Sequence, residues 1–109
     1  MTEVEFKTEL LQKAFVVKLP NELGETEAKA LDLEMKAWLL KPVDLFVFDF
    51  SQVETIDGSV FRAFAMFRKT LKKHEKNVVA IKMSKKIKLS LMNSGMLDVF
   101  NPIDHLKSS

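Results

Sequence analysis

Val4–Thr8 reads Val-Glu-Phe-Lys-Thr, the two-residue alternation of a strand with one wet face. Ala14–Leu19, AFVVKL, predicts a second strand ended by Pro20 and Asn21, with Leu10–Lys13 turning between the two. After Gly24 the period changes. In ETEAKALDLEMKAWLL the apolar residues Ala28, Leu31, Met35, Trp38 and Leu39 fall at helical spacing, and Pro42 stops the run. Leu45–Phe50, LFVFDF, is almost unbroken apolar, which is the pattern of a central strand covered on both faces. A helix then runs from Gly58 to His74, with Val60, Ala63, Phe64, Phe67 and Leu71 on one face.

Asn77–Met83 predicts the next strand. Ser84 is a good N-cap for a helix through Asn93, with Ile87, Leu91 and, at its edge, Met92 facing the core. Gly95 stands where a left-handed C-terminal cap belongs. Val99–Ile103 predicts a last short strand, and Pro102 assigns it to an edge. The order β-β-α-β-α-β-α-β implies an α/β domain with a mixed, mostly parallel sheet of four to five strands and three main helices. At 109 residues this is one domain, spanning residues 1–109.

Composition narrows the setting. The chain has no cysteine, so disulfides and thiolate metal sites are excluded, and a reducing cytoplasm is expected. The opening MTEVEFKTELL is charged and is not expected to be a signal peptide. No apolar run approaches the roughly 18 residues of a membrane span, so no membrane insertion is expected. Charge is unevenly spread. Residues 1–57 carry 6 basic and 12 acidic side chains, and residues 58–109 carry 11 basic and 3 acidic, so the halves differ in sign, at −6 and +8. The basic run from Arg68 to Lys88 is a candidate surface for an anionic partner. Its lysines alternate with core-spaced apolar residues, and no exposed aromatics interleave with them, so nucleic acid is not the expected partner.

Catalytic chemistry is thin. Three glycines make neither a dinucleotide fingerprint nor a phosphate loop, and no cofactor is expected. His74 and His105 form no ligand pair, so no metal is expected. His74 lies at the far end of the helix that Ser59 begins, roughly 20 Å away at helical rise, beyond the reach a triad needs. An enzyme is not the expected class.

The seam between LFVFDF and the Phe-rich helix, IDGSVFRAF, is more informative. Asp57 is a strong N-cap, which puts Gly58 and Ser59 in the first turn. Free backbone N–H groups and the positive end of the macrodipole meet there, so a phosphate on Ser59 would be accommodated. It would add about two negative charges beside Asp57 and change what can dock. Phe61 lies off the apolar stripe next to Ser59, as an apolar ring does on a docking surface, and Met66 lies off it on the other side. Asp49 reads first as a strand-end carboxylate bonding nearby backbone N–H groups.

The run VFDFSQVETIDGSVFRAFAMFRKTLKK resembles the STAS family, the sulfate-transporter and anti-sigma-factor-antagonist domains. That family's strand ends in Asp-Leu-Ser, and Asp-Ser-Ser-Gly-Leu then opens a helix. Here Asp49-Phe50-Ser51 ends the strand, and Val53, Ile56 and Asp57 fall in register. Downstream, Ser84, Leu91, Gly95, Met96 and Phe100 occupy the family's remaining places. The resemblance covers nearly the whole chain. It implies a protein partner, a serine kinase that is itself an anti-sigma factor, and phosphorylation at Ser59 that breaks the complex. It implies docking through Asp57, Gly58, Ser59, Phe61, Arg62 and Asp49, and it allows a weak homodimer. Two positions depart from the pattern: Gly58 replaces the first Ser, and Val60 replaces the Gly after the phosphoacceptor, which is expected to narrow the approach to Ser59. The chain is also expected to lack the terminal helix that many members carry. These departures support an alternative, a non-switching STAS subunit of a transporter or signalling scaffold.

Overall fold

A hairpin of two five-residue strands opens the fold in a computed structural model that describes residues 4–11 and 13–103. Strand β1 (Lys7–Leu11) pairs antiparallel with β2 (Ala14–Lys18), from Lys7↔Lys18 to Leu11↔Ala14. The first strand is therefore three residues later than the alternation at Val4–Thr8 predicts, and Leu10 and Leu11 belong to it rather than to a turn. The cause is the tight connection: with Leu11 opposite Ala14, every residue of β2 finds a partner. The alternation signal is real but belongs to packing, because Phe6 lies edge-on against Trp38 at 5.9 Å between ring centroids.

The chain then forms β3 (Glu22–Leu23), α1 (Glu25–Trp38), β4 (Leu45–Asp49), β5 (Thr55–Ile56), α2 (Gly58–Lys73), β6 (Asn77–Ile81), α3 (Lys85–Asn93), α4 (Leu97–Phe100) and β7 (Pro102–Ile103). Helix α1 stops two residues before the predicted end, and Leu40 is 85% exposed. Strand β6 stops at Ile81 because Lys82 takes a positive φ of 56°. The predicted last strand is mostly the short helix α4, and only Pro102–Ile103 pairs with β6, at the sheet edge. Asn101, at φ 46°, turns the chain between the two. Met92 is 57% exposed and does not face the core, whereas Ile87 and Leu91 do. Gly95 has the left-handed φ of 73°.

The main sheet runs β1-β2-β4-β6-β7, antiparallel only at β1-β2. Each parallel crossover steps the same way across the sheet. Right-handed connections then place every helix on one face. The packing agrees: Phe15, Val17, Phe46, Phe48, Val78 and Ala80 from one sheet face share a core with buried side chains of α1, α2, α3 and α4. Val47, Val79 and Ile81 form a separate cluster from the opposite sheet face. Aromatic rings dominate the first core. Phe48 meets Phe64 edge-on at 4.7 Å, and Phe64 tilts against Phe100 at 4.5 Å. Two basic residues of the Arg68–Lys88 run are spent on the fold. Arg68 donates to the Asp98 carbonyl, and Lys76 Nζ donates to the carbonyls of Leu39 and Lys41 beyond the end of α1.

Candidate functional site at the start of helix α2

Strands β3 and β5 pair parallel as a separate two-stranded sheet, Glu22↔Thr55 and Leu23↔Ile56. Nothing in the hydrophobic pattern predicts so short a pair. Its effect is positional. Asp57 N donates to the Leu23 carbonyl at 2.8 Å, so the residue before α2 is tied to the residue before Gly24, the N-cap of α1. Gly24 N in turn donates to Glu27 Oε1 at 2.9 Å, half of a capping box. The starts of α1 and α2 are thereby latched side by side.

Asp57 is the N-cap, as its residue type predicts, with extended φ −91° and ψ 154°. Its Oδ2 accepts from Ser59 N at 3.0 Å and from Ser59 Oγ at 2.6 Å. These two bonds, the hydroxyl's first, hold the Asp57 carboxyl below the usual carboxylate range. The Ser59 hydroxyl proton is thus committed to Asp57, and the oxygen's lone pairs are directed elsewhere. Ser59 is half-buried, and Asp57, Gly58 and Arg62 beside it are exposed. A Cβ placed on Gly58 would meet nothing within 4 Å, so the glycine leaves the approach open.

Val60 does not narrow that approach. Its side chain is fully buried in the core beneath the turn, so a substitution expected to obstruct the surface adds packing below it. Phe61 also departs from expectation. It is half-buried, and its ring stands edge-on to Phe100 at 6.2 Å, a strut between α2 and α4 more than a free docking ring. Asp49 is buried and apart from the turn. Its Oδ1 accepts from Ser51 N at 2.8 Å, the local bond expected of a strand-end carboxylate. The structure therefore brings together Asp57, Gly58, Ser59 and Arg62, and leaves Phe61 and Asp49 outside that group.

What the pattern of single elements does not show is the neighbour. A groove of about 580 Å³ runs between α1 and α2 with Ser59 at one end and Leu39 and Thr70 at the other. Glu25, Lys29, Asp32 and Lys36 form its α1 wall, and Arg62 and Met66 lie on its α2 wall. Met66 is 61% exposed. The α1 residues carry a signal in the sequence, charges of alternating sign at helical spacing, but only the latch at β3–β5 shows that they border Ser59. Among the described residues no group of three or more His, Cys, Asp or Glu side chains is placed to hold a metal ion. No helix among them is long and apolar enough to cross a membrane.

Comparison with known proteins bears on the fold and the family. No curated protein matches the chain in sequence. Among solved structures, the anti-sigma factor antagonist SpoIIAA in its unphosphorylated form superposes with a TM-score of 0.79 at 15% identity, over 94% of this chain and 90% of that one. The Bacillus cell fate determinant SpoIIAA in the phosphorylated form gives 0.72 at 15% identity, over 94% and 93%. The murine anion transporter Slc26a9 gives 0.71 at 11% identity, over 90% of this chain and 17% of that one. At such identities these are likenesses of fold. The STAS domain family model matches residues 5–109, and the chain belongs to the STAS domain family.

Proposed function

We propose that this STAS domain is a regulatory docking module of the anti-sigma-factor-antagonist type. It binds a partner protein through the start of α2, and a serine kinase of the anti-sigma class phosphorylates it at Ser59. The observation that supports this reading best is the hydrogen-bonded pair at the turn. Ser59 Oγ sits in the first turn of a 16-residue helix, and its proton is held by Asp57 at 2.6 Å. A kinase would transfer a phosphoryl group to that oxygen. The hydroxyl donor to Asp57 would be lost, and about two charges would appear against a carboxylate already ionised. The Ser59 and Val60 N–H groups already donate to Asp57, so the phosphate would compete there with the cap, and the docking surface would become more negative while the core beneath, with Val60 buried in it, holds the fold. In this role the protein is a cytoplasmic kinase substrate and not an enzyme. The family membership and the SpoIIAA likeness support a regulatory role in general; the kinase and the modified serine are our reading.

One observation favours a second reading, a fixed subunit of a larger assembly. Gly58 and Val60 stand where the family's phosphorylated members have Ser and Gly, and the fold also occurs as a minor part of an anion transporter. A pull-down from native lysate with wild-type, Ser59→Ala and Ser59→Asp baits separates the two. The switch predicts that wild type and Ser59→Ala retain a kinase-like partner and Ser59→Asp loses it. Equal retention by all three baits supports the fixed subunit.

A further inference from the structure

We infer that the groove between α1 and α2 seats one amphipathic helix of a partner protein, with charges ordered basic, acidic, basic, acidic from the Ser59 end. This rests on the reading that the face around Ser59 docks a protein. It does not rest on phosphorylation.

The floor supplies an apolar seat. Ala28, Met35, Ala63 and Phe67 line the groove and are all buried at 4–5% exposure. The two alanines hold the floor low enough for another backbone to approach. Met66 projects from the α2 side at 61% exposure, and a flexible thioether adapts to whatever packs beside it. The wall supplies register. Glu25, Lys29, Asp32 and Lys36 are exposed and lie 4, 3 and 4 residues apart, so they stack along one side of α1 with signs −, +, −, +. That ladder spans about 16 Å, three helical turns. An opposing helix repeats its own i, i+4, i+7, i+11 positions at the same rise, so it places one opposite charge at each height in either chain direction. Arg62, also at the groove, adds a second cation beside Ser59. Exposed ion pairs contribute little affinity, so the ladder selects register and partner while burial of Met66 and of the half-buried Leu39 provides the attraction.

The test uses the full chain, 15N-labelled, and two synthetic helical peptides of about four turns. Both carry the same apolar stripe. One has the charge order basic–acidic–basic–acidic, which matches the ladder in one chain direction, and the other has basic–acidic–acidic–basic, which reads the same both ways and meets two like charges; the set is completed by a variant with D32K and K36E together, whose ladder reads −, +, +, −. Both substituted side chains are exposed, and circular dichroism checks the variant's fold. The expected result is that wild type prefers the alternating peptide by about tenfold, the sum of several weak pairs, and the variant prefers the other peptide by a similar factor. Amide shifts should be confined to residues 25–39 and 59–70. Met66→Lys should weaken both peptides. Equal affinity for the two peptides, no binding of either at millimolar concentration, or shifts centred on α3 would each overturn the proposal. So would groove shifts produced by raising the protein concentration alone, or by phosphatidylglycerol vesicles in place of peptide, because the occupant would then be a second copy or a lipid surface. A groove that fails while Ser59→Asp still releases the partner leaves the switch standing. The converse result leaves the groove standing.

Discussion

The Ser59 hydroxyl and the Asp57 carboxylate form the smallest unit of the account, and each makes the other measurable. Asp57 caps α2 through its bond to Ser59 N, so Asp57→Ala should lower the urea denaturation midpoint. The pH dependence has a definite sign. Folding lowers the Asp57 pKa, so its contribution is present above the unfolded-chain value and is lost as pH falls through the lower folded value. The gap between wild type and Asp57→Ala should therefore hold at neutral pH and close below about pH 4. Gly58 is at the first helical position with open space where a Cβ would go. Gly58→Ala should be neutral to stabilising, by at most about 1 kcal/mol, and a clear loss of melting temperature would contradict the open-approach description. Asp57 as cap and Ser59 in the first turn were legible from residue type alone. Phe61 was not, because helical spacing shows that a ring lies off the stripe but not that Phe100 waits beside it.

Elements were legible where a long period or a stop residue marks them. Helix α2 and strand β4 lie within one or two residues of the pattern. Short elements were not. Strands β3 and β5 have two residues each, too few for any period, and they form only because the chain passes twice through the same place. The α4 turn hides inside an apolar run that reads equally well as a strand. Gly95 is the exception among short features, since its residue type announces a left-handed cap. At φ 73°, Gly95→Ala should cost about 1 kcal/mol or more although no neighbour lies within 4 Å, so the loss would come from backbone conformation alone. Denaturant midpoints for the Gly58 and Gly95 variants should thus move in different directions for the same chemical change. Lys76 shows why the basic run is a poor guide to partners: it donates to two carbonyls beyond the end of α1 and also lies over the Phe46 ring at 5.8 Å.

At the scale of the whole molecule, one-sided crossovers gather the helices and their aromatic side chains on a single face of the sheet. Phe64 touches Phe48, Phe50 and Phe100, so Phe64→Ala should cost about 3–5 kcal/mol, much of what a domain this size has, and should broaden or abolish cooperative melting. That core holds the latch at β3–β5, the latch holds the two helix starts together, and the helix starts present Ser59 at the mouth of a groove. In the proposed function this serine switches docking. The most direct measurement is peptide mass spectrometry of the protein recovered from its native cells, divided into partner-bound and free pools. Phosphate on Ser59 is expected in the free pool and unmodified Ser59 in the bound pool. Phosphate at Ser59 in equal proportion in both pools, or its absence from both, would contradict the switch.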